Sequence, residues 1–323
     1  MPYVRTILGD IDSTLLGVCY AHEHVVIDES YTTQQTPDFL LADVTKIELE
    51  LADFRAAGGR AMVDSMPGGG AGRNAAKLAK ISRQSAVHIL CPTGLHLAKY
   101  YPADHWALQA TEEQLANLLI GEIERGIAAN DLSSPDGRTT LSHRAGLIKV
   151  AGGLDRLSAH ERKLFRAAGR AQRSTGAPIL THTEQGTAAL EQIEILAEAG
   201  ADLSHVVLSH TDRRPEMAYH RQILKSGVKV EYDSAFRWKP GQGNPTLELC
   251  CTLLPEFRGQ IMLGMDAARS GYWKSFGGSP GLAYLLSEFV PKLRESGIEQ
   301  RLIDRVFIDT PAETFSFIER KSS

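Results

Sequence analysis

Pro178-Ile179-Leu180-Thr181-His182-Thr183, a helical stretch to Gly200, and then His205-Val206-Val207-Leu208-Ser209-His210 make one repeating unit: a short β-rich run, a helix, and a second β-rich run. Two parallel strands need such a crossover, because a tight hairpin can join only antiparallel ones. Outward from this pair, further β-rich runs cover residues 17–26, 60–65, 87–93, 145–151, 228–233 and 260–265, following an N-terminal segment at 6–16. Helical signals lie between them. Asp43 caps a stretch in which Val44, Ile47, Leu51 and Phe54 recur at three and four, ended by Gly58-Gly59. Thr111-Glu112-Glu113-Gln114 opens the longest helix, to about residue 129, as a capping box. Eight β-runs alternating with helices, without a composition shift or linker, predict an α/β chain folded as a single (β/α)8 TIM-barrel domain over 1–323 rather than two doubly wound domains.

At 323 residues, 43% hydrophobic and 23% charged, the chain can build one large core. A net charge of -4 and the absence of like-charge runs argue against nucleic acid as a partner. Cys19, Cys91, Cys250 and Cys251 lack CxxC spacing and read as reduced thiols. The start of the chain has no apolar signal region, and no apolar run approaches about 18 residues, so the expectation is a cytoplasmic protein without a membrane partner. The run Gly68-Gly69-Gly70-Ala71-Gly72 lacks the lysine and hydroxyl of a phosphate loop and reads as a flexible strand-to-helix loop. Ser133-Ser134-Pro135-Asp136-Gly137 reads as a surface turn.

In barrels of this kind the chemistry sits at the C-terminal ends of the strands. The first run carries His22-Glu23-His24, whose histidines project to one side of a strand. The fourth carries Lys149 among apolar neighbours, where an unpaired ammonium is costly. The fifth ends at His182, the sixth at His210 and the eighth at Asp266. Each alone is an ordinary residue, but together they place four imidazoles, a lysine and a carboxylate at one end of one barrel.

This ordered set resembles the phosphotriesterase-like branch of the amidohydrolase superfamily, in pattern its lactonase members, over nearly the whole length. The resemblance implies a binuclear metal centre, zinc in the first instance with manganese or cobalt as alternatives. His22, His24 and Asp266 would hold one ion, His182 and His210 the other, and Lys149, carboxylated by carbon dioxide, would bridge them. A buried amine has a depressed pKa and reacts with carbon dioxide, and two cations stabilise the resulting carbamate. A water shared by the ions would become the nucleophile and Asp266 would take its proton as the catalytic base. Relatives imply a homodimer.

The same centre serves lactone, ester, amide or phosphotriester, so the loops must choose the substrate. After the seventh and eighth strands they read Phe236-Arg237-Trp238-Lys239 and Ala268-Arg269-Ser270-Gly271-Tyr272-Trp273-Lys274. Such cations suit an anionic group. The expected reaction is ring opening of a lactone, a sugar lactone carrying phosphate or another anion, with Arg237, Lys239, Arg269 and Tyr272 in the substrate pocket and Lys239 and Arg269 as anchors. Thr93-Gly94-Leu95-His96 places His96 where acyl-lactone hydrolases of the family carry a tyrosine, which speaks against quorum-signal lactones; His96 is instead expected to bind the substrate by a hydrogen bond, with packing in the loop as the alternative. Asp212-Arg213-Arg214 after the sixth strand offers polar contacts, although a helix N-terminus accounts for Asp212 equally well. The alternatives are a phosphotriesterase or promiscuous carboxylesterase, and, from another class, a non-catalytic binding barrel.

Overall fold

Eight strands at the predicted places carry the chain round a barrel. They are β1 Cys19–Glu23, β2 Ala61–Asp64, β3 His88–Leu90 continued by Pro92–Gly94, β4 Leu147–Gly152, β5 Ile179–Thr183, β6 Val206–Ser209, β7 Lys229–Tyr232 and β8 Ile261–Leu263. The computed structural model describes residues 2–135, 139–239, 241 and 243–319. Asp136 and Gly137 of the expected turn, and Pro240 and Gln242 of the loop after β7, lie outside them.

Each strand pairs in parallel with the next from β1 to β8. The ladder breaks inside β3 at Cys91, just before Pro92, whose ring removes the backbone donor. The last seam, between β8 and β1, is closed differently. The His22 carbonyl accepts from the Met265 and Asp266 amides at 3.3 and 3.0 Å. The Glu23 carboxylate accepts from Met265 and Ala267 at 2.8 and 3.3 Å. Gly264 permits this approach, since a Cβ there would lie 2.6 Å from the His22 carbonyl oxygen.

Two apolar layers result. Inside the barrel, Cys19, Ala21, Ala61, Val63, Leu90, Leu147, Leu180, Val207 and Met262 pack together, and Val4, Leu16 and Phe315 close the bottom. Outside, the strands pack on helices including α1 Val44–Ala56, α2 Ala75–Ser85, α3 Glu112–Glu124 and α4 Ala159–Thr175. Asp43, Asn74, Thr111 and Ser158 cap these four by accepting from the third amide inside. The helix opened by Thr111 ends at Glu124, not near residue 129, because Gly126 at φ +141° leaves the helical region; α4 is longer. The expected segment at 6–16 is part of a hairpin, Tyr3–Thr6 with Gly9–Asp12. The glycine run is pinned: the Gly69 and Gly70 amides donate to the Asp131 backbone, and Arg73 beside them is buried between Glu122 and Asp131. Three cysteines are buried and Cys251 is half-buried, all as free thiols. Among the described residues no helix is long and apolar enough to cross a membrane.

Candidate metal centre and active-site cleft

The histidine pair of β1 depends on a defect in its strand. Unbroken alternation would put Tyr20, His22 and His24 on one face, yet Tyr20 lies outside the barrel, its ring 4.8 Å from that of Phe54. Tyr20 pairs with Met62 and Glu23 with Asp64, so three residues advance on β1 for two on β2. This bulge re-aims the strand end. Cys19 and Ala21 fill the interior below it, and His22 and His24 enter the interior above it, ring centres 5.6 Å apart.

Hydrogen bonds settle which ring nitrogen of His22, His182 and His210 is left to face a ligand. His22 Nδ1 lies 2.8 Å from Ser209 Oγ, leaving Nε2, which is 3.7 Å from Asp266 Oδ1. His24 Nε2 is 3.3 Å from the same oxygen. His210 Nδ1 is bonded to Asp233 Oδ2, leaving Nε2, and His182 Nε2 is bonded to Glu184 Oε2 at 3.1 Å, leaving Nδ1. The His210 ring stands 4.6 Å from both His22 and His182, centre to centre. His22, His24 and Asp266 can present ligand atoms within 4.8 Å of one another, and so can His22, His210, Glu231 and Asp233. His182 belongs to neither set but adjoins the second through His210. Asp233 serves there as the orienting partner of His210, the role a carboxylate takes behind a metal-ligating imidazole.

Two of these residues are held in left-handed backbone, His210 at φ +66° and Asp266 at φ +46°. Such a conformation costs a non-glycine residue about 1–3 kcal/mol and persists where surrounding contacts fix it. At Asp266 they do. Its amide is tied to the β1 carbonyl across the seam, and its Oδ2 accepts from Arg213 at 2.6 Å and Arg237 at 3.2 Å. Burial works to raise the Asp266 carboxyl, but His210, the His24 hydrogen bond and both arginines outweigh it and hold the group well below the ordinary carboxylate range. Arg213 also donates to Asp233 at 2.9 Å, so a chain of polar contacts runs from His210 through Asp233, Arg213 and Asp266 to His24.

Lys149 stands in the middle of this. It is 1% exposed, and its Nζ has no hydrogen-bond partner among the described residues. Burial pushes the amine down to about 7 against the pull of Asp266, Glu231 and Asp233. Gly94 on β3 makes room for β4 here: a Cβ would fall 1.8 Å from the Lys149 carbonyl oxygen. Glu231, on β7 below, is equally buried; neither of its oxygens has a hydrogen-bond partner among the described residues, its Oε2 lies 3.7 Å from His22 Nδ1, and burial pushes it well above the carboxylate range. The donor set fits divalent cations: imidazoles with a free nitrogen, a carboxylate, and an orphaned amine that becomes an anionic ligand once carboxylated.

Above the centre lies a cleft with about 170 Å³ of free space, small beside the roughly 300–1,000 Å³ typical of drug-sized ligands. His22, His24, His182, His210 and Asp266 form its floor, and His96, Arg237, Arg269 and Tyr272 are in its wall. His96 is half-buried, its ring 5.0 Å from that of His182; loss of solvent around the ring, then His182, push it well below its ordinary value, and its Nδ1 accepts the Leu97 amide. Arg237 donates to the Met265 and Asp266 carbonyls and to the Tyr272 hydroxyl, with its guanidinium against the Phe236 and Tyr272 rings. Lys239 is exposed and does not line the cleft among the described residues.

The structure adds Thr32, Phe39, Tyr100 and Glu184 to the wall and Asp233 and Ser209 behind the histidines, and of the Asp212-Arg213-Arg214 cluster it brings Arg213 into the wall. Asp233 carried a usable signal, as the residue closing the seventh β-run. Arg213 carried only its place three residues after His210. Asp212 lies in the first turn of the short helix Thr211–Arg213, and its buried carboxylate accepts from the Asp233 and Ser234 amides and the Thr246 hydroxyl, fixing the end of β7.

The profile of the phosphotriesterase family matches residues 2–315. A phospho-furanose lactonase of Mycoplasmopsis agalactiae is 29% identical over 98% of this chain and 92% of its own. A lactonase from Listeria monocytogenes superposes with a TM-score of 0.88 at 31% identity, over 98% of this chain and all of that one. The phosphotriesterase homology protein of Escherichia coli, solved with phosphate in its active site, has a TM-score of 0.83 at 28% identity over 93% and 99% of the two chains.

Proposed function

The chain belongs to the phosphotriesterase family, and from that premise we propose that this hydrolase of ester bonds opens the ring of a sugar lactone bearing phosphate or a comparable anion, using two divalent ions, zinc foremost. His22, His24 and Asp266 would hold one ion and His182 and His210 the other, with carboxylated Lys149 between them. The relatives named for phosphorylated furanose lactones and for lactones support the choice of a lactone. When bound, the ions supply an activated water and a Lewis acid for the ester carbonyl.

The chain's own groups do the rest. Asp266 is held ionised by Arg213 and Arg237 on Oδ2, so its carboxylate takes up the proton of the attacking water and passes it to the leaving alkoxide. Asp233 fixes the His210 tautomer, and Glu184 does the same for His182. The observation that carries the substrate reading is the division of labour among three arginines in one small cleft. Arg213 is committed to Asp233 and Asp266, and Arg237 to two carbonyls, Asp266 and Tyr272. Arg269, at the outer wall, is paired among the described residues with one carboxylate, that of exposed Asp38, and is the guanidinium whose partner a substrate anion can most readily replace. Tyr272 beside it keeps a hydroxyl proton to donate. The small free volume suits a sugar ring better than a long acyl chain. We extend the reading to a cytoplasmic homodimer on composition and family resemblance.

A sugar-lactone library, phosphorylated and not, followed by the proton released on ring opening, tests this. The expected result is hydrolysis that chelator abolishes and zinc, manganese or cobalt restores, with the highest kcat/KM on a phosphorylated lactone. Binding without turnover would instead establish the non-catalytic barrel.

A further inference from the structure

The contact that occupies Arg269 joins two loops across the cleft mouth. Its Nη1 is paired with Asp38 Oδ2, and its guanidinium lies 4.6 Å from the Phe39 ring centre. Asp38 and Phe39 belong to the short turn Pro37–Phe39 between β1 and α1, whereas Arg269 precedes the turn Ser270–Tyr272 after β8. Both charged side chains are nearly half exposed, 43% for Arg269 and 46% for Asp38. Phe39, Arg269 and Tyr272 all line the cleft. Asp38 itself is outside the lining, and the two acids within it are engaged: Asp266 with Arg213 and Arg237, Glu184 with His182 and Lys99.

We propose that Asp38 is a resident competitor for the anion subsite: its carboxylate occupies Arg269 in the free enzyme, and the anionic group of the substrate binds by displacing it. The aromatic contact with Phe39 keeps the guanidinium aimed into the cleft while the carboxylate is exchanged. The return of Asp38 to Arg269 assists departure of the anionic product. An exposed ion pair is weak enough to exchange, so the effect on anion affinity is a small factor rather than an on-off gate. The inference rests on the reading of Arg269 as the anion anchor.

The test is calorimetric binding to the metal-loaded protein of D-ribose 5-phosphate, with D-ribose as the uncharged reference, in wild type, Asp38→Asn, Arg269→Gln and the double variant. The expected result is that Asp38→Asn raises the affinity for the phosphate ester relative to ribose by about 1.4- to 5-fold. Arg269→Gln lowers it, and in the Arg269→Gln background the Asp38 change has no effect. If Arg269→Gln weakens the phosphate ester but Asp38→Asn leaves the ratio unchanged or lowers it, the competitor role is wrong and the anchor stands. An Asp38 effect that persists without Arg269 also overturns the competitor role. If Arg269→Gln has no effect, the anchor falls and the competitor with it.

Discussion

Lys149→Met should abolish activity and yet stabilise the metal-free barrel. The lysine is 1% exposed with an unpartnered amine, and its pKa is pushed down from 10.5 to about 7 by burial, net of the attraction of nearby carboxylates. That fall corresponds to about 5 kcal/mol of unfavourable burial of the charge. The folded pKa lies below the unfolded one, so below about pH 7 both states are protonated and the whole cost is present. Between pH 7 and 10.5 the folded lysine is neutral while the unfolded one still binds a proton, so the cost shrinks as pH rises. Unfolding a chain of 323 residues carries an entropy of roughly 0.7 kcal/mol/K, which turns 5 kcal/mol into about 7 °C. Calorimetric melting of metal-stripped protein in buffer free of carbon dioxide should therefore show the variant about 7 °C above wild type at pH 7, and only about 2 °C above it at pH 9.5. A variant that melts below wild type at pH 7, or a gap that stays constant with pH, would refute the reasoning.

Arg213→Gln in the metal-free protein leaves Asp233 and Asp266 without their shared counter-ion and should cost about 3–5 kcal/mol; the loss should be smaller in the metal-loaded protein, and urea midpoints for the two forms check it. Asp233→Asn removes the carboxylate behind His210 and should weaken metal binding about 10- to 100-fold, read by competition with a chromophoric chelator. Asp233 and Asp266 both have folded pKa values below the unfolded carboxylate, Asp233 because Arg213 and His210 outweigh its burial. Their contribution is therefore fully present above about pH 4 and is lost as pH falls below it, so acid titration of the metal-free protein should show a late unfolding step that Arg213→Gln moves to higher pH. Removing bound metal should lower the melting temperature by the mass-action amount, about 4 kcal/mol for free ion at a thousand times Kd.

The barrel was legible because its signal is repetitive: a β-run and a helix can each be recognised locally, and the rule that chemistry sits at the C-terminal strand ends picks His22, His24, Lys149, His182, His210 and Asp266 out of all the polar residues. What stayed hidden depends on contacts between distant segments. Plain alternation places Tyr20 beside the histidines, because a bulge is a property of the pairing of β1 with β2 and leaves no mark in β1 alone. Arg213 and Arg237 read as two more loop cations until both are seen on Asp266. Lys239 and Arg269 were equal candidates by charge, but the path of the loop exposes one and aims the other into the cleft. The glycine run read as flexible because Arg73, Glu122 and Asp131, which immobilise it, come from three places in the chain.

The β8–β1 seam has a consequence in time as well as in space. His22 and His24 leave the ribosome early, and Asp266 follows more than two hundred residues later, so through most of synthesis the first proposed ligand pair is without Asp266. At typical elongation rates of about 5–20 residues per second the interval is of order 10–50 s. The residues that close the barrel, His22, Glu23 and the Met265-Asp266-Ala267 amides, adjoin the ligands that would share an ion, so wall and centre are completed together. A nascent chain cannot assemble the full set of proposed ligands before it has a barrel, so the complete centre forms only with the closed wall.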